Sequence, residues 1–231
     1  MFKLTRYGLR ELVIATALVL VWCVGMWAFA YLLPWWAIVA GLAPVLIVYL
    51  WVVYFFRDPQ RTVPQGDGLF VSPADGRIAD ITNIGPDSEL GRQGVRIGIF
   101  MNIFNVHLSR CPVDGTVESI VYRPGTFLDV RDPHASERNE STTIRLQYEH
   151  RGVKYPVVFR QIAGLVARRI VTDITQGQSV TRGQRVGMIK FGSRLELLVP
   201  AELVSKVRVE VGQVSRGAET VLIESTPEDS Q

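Results

Sequence analysis

The stretch Val186-Gly187-Met188-Ile189-Lys190-Phe191-Gly192-Ser193-Arg194-Leu195-Glu196-Leu197-Leu198-Val199 decides how this chain is read. Two apolar runs, Val186–Lys190 and Leu195–Val199, are too short for helices, lack a helical repeat and meet at a Gly-Ser pair, so each reads as a strand. The same punctuation by glycine and proline extends back to Arg57. Further strands are expected at Leu69–Val71, Arg77–Ile84, Val95–Ile99, Gly115–Tyr122, Thr142–Tyr148, Lys154–Ile162 and Val221–Glu224, with a weaker one at Glu210–Val211. Residues 57–231 are therefore predicted to be mainly β, as a barrel or sandwich.

Upstream the composition changes. From Glu11 to Phe56 the only formal charge is Glu11 itself. About 20 apolar residues cross a hydrocarbon core of roughly 30 Å, and Leu12–Leu33 and Trp35–Phe56 each reach that length. They predict a transmembrane helical hairpin, residues 1–56, turning at Pro34 between the interfacial aromatics Tyr31, Trp35 and Trp36. Lys3, Arg6 and Arg10 precede the first span and Arg57 and Arg61 follow the second, which assigns both ends, and the β domain, to the cytoplasmic side of the cell membrane. A cleaved signal peptide ending at Ala28-Phe29-Ala30 is the rival reading. The apolar stretch is longer than the ~7–15 residues of such a leader, and a second span follows it.

The net charge of +3 and the lack of any Lys/Arg run exclude a nucleic-acid-binding patch. Two cysteines, one at mid-span, make no disulfide framework, and the three histidines lack metal-ligand spacing. Arg131–Ser141 is the most polar segment and reads as a mobile loop. The turn signals Thr175-Gln176-Gly177-Gln178 and Arg182-Gly183-Gln184, around a tight pair of short strands, resemble the hammerhead strands of lipoyl and biotinyl domains.

Serine attacks poorly until a base takes its proton, histidine is the usual base, and a carboxylate can hold the imidazole. Ser193, His107 and Asp75 supply these three types. Read singly, each has a plain structural explanation: Asp75-Gly76 and Gly192-Ser193 as turns, His107 as a buried, hydrogen-bonded core residue.

Read together, Phe56-Arg57-Asp58-Pro59, Val71-Ser72-Pro73-Ala74-Asp75-Gly76, Phe104-Asn105-Val106-His107, Ala167-Arg168-Arg169-Ile170 and Phe191-Gly192-Ser193 resemble the phosphatidylserine decarboxylases in their short, membrane-anchored (type A) form. The resemblance implies a zymogen that cuts itself between Gly192 and Ser193. Large (1–192) and small (193–231) chains would result, with Ser193 converted to a covalent pyruvoyl group. That group would form a Schiff base with phosphatidylserine in the membrane and release CO2 and phosphatidylethanolamine. His107 would be the proton carrier, Asp75 its orienting carboxylate, and Arg168 and Arg169, then Arg131 and Arg138, the partners of the lipid phosphate. Many members carry Thr or Ser after the Gly-Ser pair, where this chain has Arg194. The related lipid archaetidylserine, an uncleaved membrane-anchored β-barrel binding module, and a membrane serine hydrolase are the alternative readings, and homo-oligomerisation is left open.

Overall fold

The computed structural model describes residues 3–132, 134–165, 169–190 and 192–225. The chain folds as two compact units, Met1–Pro59 and Gln60–Gln231.

In the first unit a 3-10 turn, Arg6–Gly8, leads into α1, Leu9–Ala28, and α2 spans Trp35–Phe55. The first helix stops five residues short of the expected Leu33, because Phe29, Ala30 and Leu32 donate into tight turns at Gly25, Trp27 and Phe29. The two helices touch through polar atoms at two depths. Thr16 Oγ1 lies 3.1 Å from Tyr49 Oη, and Trp22 Nε1 donates to the Gly41 carbonyl at 3.0 Å. At the open end Thr5 N donates to Phe56 O and Asp58 N to Lys3 O, which clasps the hairpin. Trp27 and Trp35 are 79% and 77% exposed, and beyond Glu11 both helices carry apolar side chains around their circumference. Helices of this length and composition suit a bilayer better than water.

The second unit is built from fourteen strands among the described residues: β1 (Leu69–Val71), β2 (Gly76–Ile84), β3 (Gly94–Met101), β4 (Leu108–Arg110), β5 (Gly115–Arg123), β6 (Ser141–His150), β7 (Val153–Ala163), β8 (Arg169–Thr172), β9 (Ser179–Val180), β10 (Arg185–Lys190), β11 (Ser193–Pro200), β12 (Lys206–Val207), β13 (Val214–Ser215) and β14 (Val221–Glu224). A short helix, α3 (Ala135–Arg138), precedes β6. Eight strands form one curled, half-barrel antiparallel sheet in the order β13-β2-β3-β11-β7-β6-β5-β9, and two three-stranded sheets, β4-β10-β8 and β1-β14-β12, accompany it.

Strand β11 is central. Leu197 pairs with Ile97 of β3 on one side and Phe159 of β7 on the other. All eight of its residues are buried. Ser193, Leu195, Leu197 and Val199 point one way, and the last three join Ile97, Ile99, Met101, Val157 and Phe159 in the main core. Arg194, Glu196 and Leu198 point the other way, as a period of two requires.

Four local expectations change. Glu210–Val211 is a turn, because Gln213 folds back with N donating to Glu210 O and Oε1 accepting from Glu210 N, and pairing moves to β13. The short strands β4, β8 and β12 were not expected. The pair near the two turn signals is not paired to itself: β9 joins β5, whereas β10 joins β4 and β8. The polar segment is not all loop: it contains α3 and is anchored near its end, since the buried Asn139 amide donates to the carbonyls of Leu128 and Ala163 and accepts from Leu128 N, all at 2.8 Å.

Cys111 is fully buried, with Sγ donating to the Val113 carbonyl at 3.1 Å, and burial pushes its thiol up to about 12. At pH 8 roughly one molecule in 10⁴ would carry the thiolate. Cys23→Ser protein is therefore expected to show no reactive thiol towards an aromatic disulfide reagent until denaturant is added, then one; a native-state reaction would show that the core opens there.

Candidate active site

Ser193 heads β11, where it pairs with Met101 at the end of β3 and Ala163 at the end of β7. Two hydrogen-bonded neighbours thus fix its backbone. Its side chain is fully buried and donates to Met101 Sδ at 3.4 Å. A thioether is a weak acceptor, so the hydroxyl is held without being strongly engaged.

One residue back, Gly192 has φ +50°, a left-handed conformation that glycine adopts with least strain. Its carbonyl oxygen lies against Gly164, where a Cβ would stand 2.4 Å from that oxygen and 3.0 Å from Val130 Cγ1. Gly164 is therefore a cradle for the Gly192 carbonyl, and any side chain would fill it.

His107 arrives by a fixed turn. Asn102 N donates to Asn105 Oδ1, Phe104 N to Asn102 Oδ1, and Asn105 N to Asn102 O, at 2.8, 2.8 and 3.0 Å. His107 is fully buried, and its carbonyl accepts from Ile189 N, three residues before Gly192. Its Nδ1 lies 3.0 Å from the Asn105 carbonyl. A carbonyl only accepts, so the neutral ring carries its proton on Nδ1 and its lone pair on Nε2.

Asp75 immediately precedes β2. The strand line Arg77–Phe100, Met101–Ser193, Ser193–Ala163 brings it to the same end of the sheet as Ser193. Its carboxylate accepts from Arg61 Nη2 at 2.6 Å and from Gly217 N at 2.8 Å. The preceding Pro73 carbonyl accepts from Arg110 N, which ties this segment to β4, just after His107.

Three of the four expected phosphate partners lie among the described residues. Arg131 is exposed and its guanidinium is held by Asp129 at 2.5 Å; that hydrogen bond lowers the Asp129 carboxyl to about 2. Arg138 is exposed at the end of α3, and Arg169 is exposed at the head of β8. Arg168 lies outside the described residues.

Arg194 leaves Ser193 for the opposite face of the sheet. It donates to Asp80 at 2.5 Å and to Glu196 at 2.9 Å, and Glu196 also accepts from Ser136 Oγ at 2.8 Å. Burial alone would lower the Arg194 pKa, but Glu196 and Asp80 reverse this and raise it. A polar cavity of about 900 Å³ opens on this face, lined by Asp80, Arg96, Arg160 and Arg194 among others.

Gly164, Met101 and Arg61 were not expected at the site. A glycine just past a strand was the one available signal.

Ser193 is thus a fully buried hydroxyl at a strand head, Gly192 beside it has positive φ, and His107 is a buried imidazole with a defined tautomer. The comparisons identify the chain as a decarboxylase. The sequence profile of phosphatidylserine decarboxylase matches residues 48–223. Over 176 residues, 75% of this chain and 73% of the relative, it is 45% identical to the phosphatidylserine decarboxylase proenzyme of Azorhizobium caulinodans. The chain belongs to the phosphatidylserine decarboxylase family.

Arg194→Met would leave the carboxylates of Asp80 and the nearly inaccessible Glu196 without their shared cation. Breaking a buried pair in this way is expected to cost on the order of 3 kcal/mol, partly recovered in Arg194→Met/Glu196→Gln, with both read by chemical denaturation. Equal loss in the single and double variants would show that the two side chains do not act together.

Proposed function

We propose that the chain converts phosphatidylserine to phosphatidylethanolamine and CO2, using a pyruvoyl group made from Ser193 when the precursor cuts itself between Gly192 and Ser193. The observation that carries this reading is the fit of the Gly192-Ser193 peptide: positive φ at Gly192, its carbonyl seated on Gly164, and the Ser193 hydroxyl held by a thioether.

In self-cleavage His107 Nε2 takes the Ser193 hydroxyl proton, and Oγ attacks the Gly192 carbonyl carbon. The C–N bond breaks as the nitrogen regains a proton, leaving an ester. Loss of the Ser193 α-proton then expels the Gly192 carboxylate, and water replaces the nitrogen of the resulting dehydroalanine, releasing ammonia. The small chain begins with the ketone so formed.

That group supplies an electron sink for the charge left on the α-carbon when CO2 departs from the serine head group. The protein's part is to bind, orient and protonate. His107, shut away from water, is the donor that returns a proton to the α-carbon. Asp75 acts as a positioning residue: fixed by Arg61 and Gly217, it holds the segment tied to β4 and so the entry of His107. Arg169 is the favoured phosphate partner, because Asp129 already holds Arg131. The two apolar helices keep the domain at the bilayer that contains its substrate. Lys3, Arg6, Arg10 and Arg57 support a cytoplasmic orientation.

Intact masses of detergent-purified protein test this directly. The wild type is expected as two chains meeting between Gly192 and Ser193, the smaller with a pyruvoyl-blocked N-terminus, and Ser193→Ala as a single chain. A folded, uncut wild type that releases no CO2 from phosphatidylserine would overturn the reading.

Gly164→Ala makes a sharper demand on the geometry. The added methyl must displace the Gly192 carbonyl, and a shift near 1 Å slows such reactions on the order of 10²-fold. Time-resolved electrophoresis of freshly synthesised chain measures it, and wild-type cleavage in this variant would remove Gly164 from the mechanism.

A further inference from the structure

Among the described residues of the β unit, the exposed phenylalanine, leucine and isoleucine side chains are three: Ile103, Phe104 and Leu165, at 38%, 59% and 63% exposure. The other large apolar groups exposed there are valines and Tyr122. These three are not scattered. Ile103 and Phe104 lie just past the end of β3, and Leu165 just past the end of β7. Those strands flank β11 at its head, where Met101 and Ala163 both pair with Ser193. With strands about 4.8 Å apart, the two tips stand roughly 10 Å from each other across the Gly192-Ser193 peptide.

The exposure of Phe104 is built in. Side chains of Asn102 and Asn105 cap the turn with two 2.8 Å hydrogen bonds, so the ring is presented by a fixed loop. Leu165 follows the Gly164 cradle directly. Arg169, exposed at the head of β8, adds a cation four residues beyond Leu165, complementary to an anionic head group. Apolar side chains accompanied by an exposed arginine suit the boundary between head groups and acyl chains.

We propose that the Ile103-Phe104 and Leu165 tips insert into an anionic phospholipid bilayer on either side of the active site, so that the serine head group is taken up from the leaflet and not from water. This rests on the decarboxylase reading above and names the surface through which it operates. Within it, the tips act on delivery of substrate, whereas Ser193 and His107 act on its chemistry.

The test uses the full chain reconstituted in phosphatidylcholine vesicles, with two substrates: phosphatidylserine in the same bilayer, and water-soluble dihexanoyl phosphatidylserine added outside. Phe104→Asp and Leu165→Asp are expected to lower CO2 release from the bilayer substrate about tenfold or more, with Phe104→Leu close to wild type. Self-cleavage and turnover of the soluble substrate are expected to stay within about twofold. Equal loss on both substrates, or no loss on either, overturns the proposal. A second measurement needs no activity. Phe104→Cys in a Cys23→Ser background, labelled with an environment-sensitive fluorophore while Cys111 stays buried, is expected to be quenched by nitroxide-bearing lipids. A blue-shifted but unquenched label would mean that the tips meet a second copy of the chain, which also overturns it. Quenching in a protein that decarboxylates neither substrate would sustain the lipid contact and sink the decarboxylase reading alone.

Discussion

The double pairing of β11 is the constraint on which the rest depends. A strand hydrogen-bonded to β3 and β7 along its length has no freedom to shift register, because a slip of one residue would turn Leu195, Leu197 and Val199 out of the core. Ser193 inherits that rigidity, while Gly192, one residue outside the strand, has the conformational latitude that the ladder denies its neighbour. The proposed chemistry falls at this boundary. The proposed reaction needs one atom held still beside a carbonyl with room to turn, and a strand end next to a positive-φ glycine suits both needs.

The two faces of β11 do different work. On one, Ser193 meets a methionine at the edge of the main core; on the other, Arg194 is locked between Asp80 and Glu196. The residue that departs from the common pattern of the family therefore bears on the backbone of the site from behind. It grips β2 through Asp80 and holds Glu196, which in turn accepts from Ser136 of α3, and it does not enter the face on which Ser193 lies.

Most of the architecture was legible because the strands are long or sharply punctuated. The paired alternation of Leu195–Val199, and the glycines and prolines around β2, β3, β5, β6 and β7, leave little choice. Strands β4 and β8 were not legible, since Leu-Ser-Arg and Arg-Ile-Val-Thr carry too few residues to show a period and owe their structure to β10 between them. Polar composition hid the short helix α3 within Arg131–Ser141 and the anchor that the buried Asn139 amide provides near its end. At the site, motif order was enough to select Ser193, His107 and Asp75 as candidates. It could not select Gly164, Met101 or Arg61, which are ordinary residues made relevant by neighbours distant in sequence. The histidine's tautomer was equally hidden, because it depends on a backbone carbonyl.

The strand order has a consequence for the cleaved protein. Residues after the proposed cut supply β11 in the middle of the large sheet, β13 on its edge against β2, and β14 between β1 and β12. The two fragments would be interleaved, not docked, so neither could leave without dismantling all the layers it threads. Fragments from different precursor molecules could not trade places under native conditions. Each mature enzyme would keep the partner it was born with, and mixing isotopically labelled and unlabelled preparations would yield no hybrids.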